Sequence, residues 1–380
     1  MSRLKIMVIY GTRPEAIKLS PVITSLSQNL HFQTVVVSTG QHREMVDSIS
    51  KMFGFAPDYS LQAMVPGQSL NQMLASLIRK IDEVISIEKP DCVLVQGDTT
   101  TAAAGALSSF NCEIPVVHLE AGLRTGDIMA PFPEEANRRI ITQVATLHLT
   151  PTIGAKENLT RENVDPSSIV VTGNTVIDAL LQATGWDVEI SDAAVQRVLD
   201  RFEQIVIVTT HRRENLHDIQ NIAHAVKKIA MDNQNVGFIV PLHLNPRVRE
   251  AFLPEVRSVG NIAVARPLPY DEFTAVLKHA DLVLTDSVGL QEEAPALGIP
   301  VLIMRDKTER PEAIRAGTSR IIGTGESEIV KATNGMLRDL ARDKERVRPS
   351  NPFGDGNATA RVVAAIEELF GVGIRLADFE

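Results

Sequence analysis

Residues 5–18 read KIMVIYGTRPEAIK, and this stretch sets the expectation for the fold. Its first six residues form a short apolar run of strand type, Gly11 permits a tight turn, and Pro14 suits the first turn of a helix, where no N–H is needed. Apolar positions then recur with helical period over 16–27. The same succession returns along the first half: strands over 34–37, 92–96, 115–119 and 169–171 alternate with helices over 69–87, 101–110, 134–144 and 176–182. Apolar strands separated by amphipathic helices imply a parallel sheet covered on both faces. The alternation lapses over 183–204, which reads as a connector with one charged amphipathic segment, and restarts at IVIVTTHRREN, residues 205–215. Strands follow over 205–209, 237–241, 262–265, 282–285 and 301–304, with helices over 221–230, 271–279 and 290–297. The expected fold class is therefore α/β with two Rossmann-like, doubly wound domains, 1–182 and 205–360, and a last segment, 361–380, whose helix packs back on the first domain. Open α/β sheets bind ligands at the carboxyl ends of their strands, so the two domains are expected to face a central cleft.

Composition agrees with two ordinary cores: the 380 residues are 44% hydrophobic and 22% charged, more than a single domain of roughly 150 residues requires. The net charge of −9 and the lack of a dense Lys/Arg segment argue against nucleic acid as a partner. No apolar run reaches membrane-spanning length and the start has no cleavage-site pattern, so no membrane association and a cytoplasmic location are expected. Cys92 and Cys112 are too few for a disulfide framework and wrongly spaced for zinc. No structural or catalytic metal is expected. The Gly-x-Gly-x-x-Gly fingerprint does not follow the first strand, which removes support for a nicotinamide, and no cofactor is expected.

Residues directly after strands carry the chemistry. Arg13 and Lys18 stand near a helix start, where an anion is favoured by the dipole. Asp98, Glu120 and Glu134 follow strand ends in the first half. Asp98 could instead cap the next helix, and Glu134 could be a first-turn charge, whereas Glu120 has the weakest structural explanation because it sits over the sheet edge. In the second half His211, Arg212 and Arg213 follow the first strand, and His243 follows the next. Ser287, Val288 and Gly289 make a small-residue turn into a helix, with Glu292 and Glu293 in its first turn either solvated or, for Glu293, reaching ribose hydroxyls. With Arg305, Lys307 and Arg310, the strand-end cations point to a shared polyanionic ligand, and carboxylates beside phosphate-binding groups suggest a nucleotide-sugar.

Taken in order, these motifs resemble one family, the non-hydrolysing UDP-N-acetylglucosamine 2-epimerases. They are GTRPEAIK from Gly11, QHREM from Gln41, PGQSL from Pro66, GDT from Gly97, HLEAGLRT from His118, PFPEEANR from Pro131, HRREN from His211, HLNP from His243, DSVGLQEEAP from Asp286 and RDKTERPEA from Arg305. The resemblance implies a glycosyltransferase-B-like pair of domains, interconversion of UDP-N-acetylglucosamine and UDP-N-acetylmannosamine for surface-polysaccharide precursors, and a homodimer. It implies that Arg13, Lys18, Asp98, Glu120, His211, Phe273, Ser287, Val288, Gly289, Glu293 and Arg310 bind the UDP-sugar. Asp98, Glu120, Glu134 and His211 are the implied catalytic groups. An activator site for a second UDP-N-acetylglucosamine is implied at Gln41, His42, Gln68, Glu134 and His243. The family's phosphate turn resembles Ser-Gly-Gly, so Val288 is expected to restrict the backbone and weaken or shift UDP binding.

The hydrogen on C2 of an acetamido sugar is not acidic, because no carbonyl is bonded to that carbon. A direct proton swap is therefore unattractive, and the resemblance implies elimination of UDP to a 2-acetamidoglucal followed by re-addition. The alternatives are a 2-epimerase of a related UDP-2-acetamido sugar and a UDP-sugar glycosyltransferase of the same fold.

Overall fold

The computed structural model describes residues 3–40, 43–65, 67–342 and 351–380. It divides into two compact units, Met1–Ala179 with Phe353–Glu380, and Leu180–Pro352. The first contains β1 (Leu4–Tyr10), α1 (Arg13–Gln28), β2 (Phe32–Ser38), α2 (Arg43–Met52), β3 (Tyr59–Ser60), α3 (Leu70–Glu88) and β4 (Cys92–Gln96). It continues through α4 (Thr100–Asn111), β5 (Val116–Leu119), α5 (Glu134–Val144), β6 (Leu147–Thr150), α6 (Ile153–Arg161), β7 (Ile169–Val171) and the first part of α7 (Thr175–Ala183). The second contains α8 (Ala193–Arg201), β8 (Gln204–Thr209), α9 (Ile219–Asp232), β9 (Val236–Pro241), α10 (Pro246–Val256), β10 (Ile262–Ala265) and α11 (Tyr270–Lys278). There follow β11 (Leu282–Thr285), α12 (Leu290–Ala296), β12 (Val301–Ile303), α13 (Pro311–Arg315), β13 (Ser319–Ile321) and α14 (Glu326–Arg342), and the chain ends with α15 (Ala358–Leu369) in the first unit.

Both sheets are parallel throughout. The first runs β3-β2-β1-β4-β5-β6-β7 and the second β10-β9-β8-β11-β12-β13. Counted within each unit, the first strand lies between the second and the fourth, so the order reverses between β1 and β4 and between β8 and β11. Those are the crevices where doubly wound sheets receive ligands. The central strands are buried on both faces, which is why they read as continuous apolar runs. In β8 the alternation still decides the packing: Val206 and Val208 join one face's core, Ile205 and Ile207 the other's.

Several elements differ from the expectation. The stretch 183–204 contains α8, capped by Asp192, and its Val195 and Val198 pack into the second unit's core. β6 lacks the apolar signature because His148 stands in its middle, in register with His118 of β5. The edge strands β3 and β13 have only two and three residues, too short for periodicity to register.

His118 and His148 are buried, and desolvation brings each imidazole down to about 4, with nearby Arg124 adding to the effect. Both are thus held neutral when folded. Unfolded histidines take up protons near pH 6.5, so the folded state loses stability as pH falls from there toward 4, by up to about 3 kcal/mol per residue. Glu15 and Asp178 work in the opposite sense, since burial raises their carboxyl pKa values. The comparison that isolates the imidazoles is the slope of unfolding stability between pH 6.5 and 4.5. It should be steeper in the native sequence than in a His118→Gln, His148→Gln double variant; equal slopes would contradict the assignment.

Candidate active site

In the first unit the loops after β1 and β4 are tied together by one buried carboxylate. Glu15, one turn into α1, accepts from the Gly11 N–H at 3.1 Å, the Thr12 N–H and hydroxyl at 2.7 Å each, and the Thr99 hydroxyl at 2.7 Å. Desolvation raises its pKa and these hydrogen bonds oppose the rise. Gly11 is required by close approach, because a Cβ there would collide with the Thr39 and Thr101 hydroxyls. Arg13 opens α1, half-buried, and Lys18 lies farther along it.

Lys18 reaches Glu120. Its ammonium lies 2.6 and 2.7 Å from the two carboxylate oxygens. Asn174 donates to Oε1 at 3.0 Å and Gln96 donates to Oε2. Glu120, directly after β5, is buried, 8% exposed. Its backbone has φ +64°, in the left-handed region, at a cost of about 1 kcal/mol for a residue with a side chain. Gly97, at φ +70°, passes beside it: a Cβ there would stand 3.6 Å from Glu120 Oε2. The carbonyl of Gly97 in turn accepts from His118 Nε2 at 2.8 Å, which fixes the turn that presents Asp98.

Asp98 does not cap α4; Thr99 does, accepting from the Ala102 N–H. The Asp98 side chain instead pairs with Arg138, 2.8 Å from Nε and 2.6 Å from the terminal nitrogen, while Asn137 donates to its carbonyl at 2.8 Å. Arg138 is held from behind by the fully buried Glu135, which also accepts from the Thr125 N–H. Glu134 opens α5 on the same face as Arg138, half-buried and without an ion pair among the described residues. The structure therefore brings Lys18 of α1 to Glu120 at the end of β5, with Asp98 after the neighbouring β4. Sequence reading missed Glu15, Gln96, Asn174, Glu135 and Arg138 as their supports, although Glu15 and Glu135 stand in the first turn of a helix, Gln96 ends β4 and Asn174 directly precedes α7.

In the second unit the buried hub is Asp286, directly after β11. It accepts from the Thr210 hydroxyl at 2.9 Å, the N–H groups of His211 and Arg212 at 3.0 Å, and the Asn215 amide at 3.1 Å. These bonds hold the loop after β8 against the end of β11. His211 Nδ1 lies 3.3 Å from Asp286 Oδ1, and its ring stacks on His243 with centroids 5.8 Å apart. Although the side chain is 39% exposed, desolvation by the surrounding protein and the charges of Arg212 and Arg305 lower its pKa, against the pull of Asp286.

The turn of Ser287, Val288 and Gly289 runs into α12, with Gly289 in right-handed backbone at φ −60° and Val288 outside the left-handed region. The β-branched side chain therefore fits the turn without backbone strain. Glu292 is no solvated acid: it is buried and paired with Arg310. Arg305 is likewise held by Glu214 at 2.6 Å and Glu309 at 2.8 Å, and against its own desolvation Glu309 is brought down to about 2 by Arg305. Arg305 and Arg310, two of the strand-end cations, are thus each paired with carboxylates of their own unit. Lys307 is exposed, and the Arg213 side chain lies outside the described residues. Phe273 is half-buried against the core and Glu293 is half-buried. Of the expected activator residues, Gln41 and His42 lie outside the described residues, and Gln68 donates to the Ala63 carbonyl at 3.5 Å. Among the described residues no cluster has a metal-ligand set, and no helix is long and apolar enough to cross a membrane.

Comparison with known proteins gives one family. A family model described as UDP-N-acetylglucosamine 2-epimerase matches residues 24–367. A UDP-N-acetylglucosamine 2-epimerase of Escherichia coli K12 is 44% identical over 370 residues, covering 96% of this chain and 98% of that protein. A crystal structure of the Neisseria meningitidis UDP-GlcNAc 2-epimerase, bound to UDP-GlcNAc, superposes with a TM-score of 0.87 at 38% identity, over 96% of this chain and all of that one. At the level of fold alone, a glycotransferase of kitacinnamycin aligns with a TM-score of 0.65 at 12% identity, over 97% of this chain and 99% of that one.

Removing the hub of the second unit leaves several buried donors without an acceptor. Asp286→Ala should lower unfolding stability by about 3 kcal/mol or more in denaturant titrations, since each orphaned group costs about 1–3 kcal/mol. A loss below about 1 kcal/mol would show that the loop after β8 is held by something else.

Proposed function

The chain belongs to the UDP-N-acetylglucosamine 2-epimerase family, and from that membership we propose that it interconverts UDP-N-acetylglucosamine and UDP-N-acetylmannosamine by elimination and re-addition of UDP. In the forward half the C1–O bond to the diphosphate breaks as the C2 proton leaves, and the electron pair of the C–H bond becomes the C1–C2 double bond of a 2-acetamidoglucal. In the return half UDP adds again at C1 while C2 takes a proton on the opposite face. This route supplies the acidity that C2 lacks, because loss of the proton is coupled to departure of a good leaving group.

The observation that carries the reading is the Glu120 constellation beside Asp98. Two carboxylates on adjacent strand ends, each held by a cation, provide the acid and base groups that transfer at C2 requires, and such groups contribute about 10²–10⁴-fold each. Arg13, Lys18 and His211, with the backbone N–H groups at the start of α12, act on the departing diphosphate as oriented positive charge. His211 contributes as a hydrogen-bonding imidazole, since desolvation by the surrounding protein lowers its pKa and favours the neutral ring. Phe273 and Glu293 hold the uridine. The supply of surface-polysaccharide precursors, a homodimer and an activator site belong to the same proposal and rest on the resemblance, and the cytoplasmic location expected from the sequence pattern belongs to it as well.

Steady-state turnover tests it. Asp98→Asn, Glu120→Gln and Glu134→Gln should each lower turnover of UDP-N-acetylglucosamine by about 100-fold or more. Rates like those of the native sequence in all three would overturn the assignment.

A further inference from the structure

We infer that Asn174 is a positioning residue for the reaction: its amide donates to Glu120 and holds that carboxylate in the orientation from which it meets C2. The inference rests on the proposed role of Glu120 and names a residue that acts through it. Asn174 follows β7 and directly precedes α7, and its two side-chain atoms do different things. Oδ1 accepts from the Val176 N–H at 3.1 Å, which is an N-cap bond for α7. Because the oxygen is committed there, the other terminus must be the NH₂ group, and it donates to Glu120 Oε1 at 3.0 Å. The hydrogen-bond pattern therefore fixes which way the amide faces.

The backbone of Asn174 is fixed as firmly as its side chain. Its N–H donates to the Phe353 carbonyl at 2.6 Å, where the chain returns to the first unit, and Asn174 and Phe353 are both buried. Gly173, at φ +83°, lets this approach happen, since a Cβ there would stand 3.3 Å from Gly354 Cα. A carboxylate with φ +64° can be aimed only if something opposes its relaxation. Lys18 grips both oxygens of Glu120 and Gln96 grips one, but Asn174 is the donor whose own position is set from a third direction, by the end of the chain.

The two jobs of Asn174 can be separated. Ser and Asp are both good helix caps, so Asn174→Ser and Asn174→Asp keep the bond to Val176. Serine removes the donor to Glu120, and aspartate turns it into a facing carboxylate. Asn174→Ser should lower kcat about 10-fold with KM within about twofold of the native value, as expected when an aimed group loses alignment. Asn174→Asp should in addition move the acid limb of the kcat profile upward by about one pH unit, because two carboxylates then share a site. The thermal midpoint of Asn174→Ser should stay within a few degrees of the native protein, a range that about 1 kcal/mol covers in a chain of this size.

A purely structural residue would give the opposite pattern: kcat and its pH profile unchanged in both capped variants, with Asn174→Ala losing stability only. That pattern would overturn the inference. Glu120→Gln, run in parallel, separates its failure from that of the underlying reading. If Glu120→Gln loses about 100-fold while the serine and aspartate variants behave as native, only the positioning role falls. If Glu120→Gln itself turns over normally, the role of Glu120 falls and this inference with it. Should the aspartate variant not fold, the serine variant decides through its kcat and KM alone.

Discussion

The first unit is organised around the cost of burying one carboxylate. An ionised side chain removed from water is tolerated only when its lone pairs are filled by well-placed donors. Glu120 meets that condition with Lys18 from α1, Gln96 from the end of β4 and Asn174 from the end of β7. Three segments that are far apart in the chain are thereby drawn to one point. The same requirement explains why Gly97 passes so near and why Glu120 itself occupies left-handed backbone. A sheet edge occupied only for stability would not need this arrangement, since an apolar residue would serve there at lower cost.

The second unit meets a similar demand with a different residue. Asp286, at the end of the strand next to β8, gathers the donors of the loop that β8 leads into, much as Glu15 gathers Gly11, Thr12 and Thr99 beside β1 and β4. In both units the bound carboxylate stands where the strand order reverses, the place where the fold leaves room for a ligand. Within each unit these hydrogen bonds hold the loop backbone, next to Arg13 in the first and at His211 in the second. Preorganisation of this kind is what electrostatic catalysis depends on, because donors already in place need no reorganisation when charge develops.

Much of the fold was legible because parallel strands buried on both faces leave continuous apolar runs: β4, β7, β10 and β11 have the bounds that the sequence pattern suggested. Where polar residues enter a strand the signal fails, as with His148 in β6, and where a strand has two residues there is none to read, as in β3. The candidate catalytic carboxylates were legible from their position after strands, and Asp98 was separable from a capping role only once Thr99 was seen to cap. Their partners were not legible. Lys18 lies 102 residues from Glu120, Asn174 lies 54 from it and Arg138 lies 40 from Asp98, and no local pattern encodes a pairing over such separations. The carboxylates beside Arg305 and Arg310 were not legible either, since a positive charge after a strand says nothing of the acid that pairs with it.

The central claim is that C2 of a UDP-sugar exchanges its proton in the course of the reaction. It is tested most directly by following UDP-N-acetylglucosamine with the protein in deuterium oxide by proton NMR. The account requires the H2 signal to disappear as UDP-N-acetylmannosamine grows in, with deuterium at C2 of the product and, through reversal, of the remaining substrate. Product that keeps its original C2 proton, or binding without any exchange over hours, would contradict it.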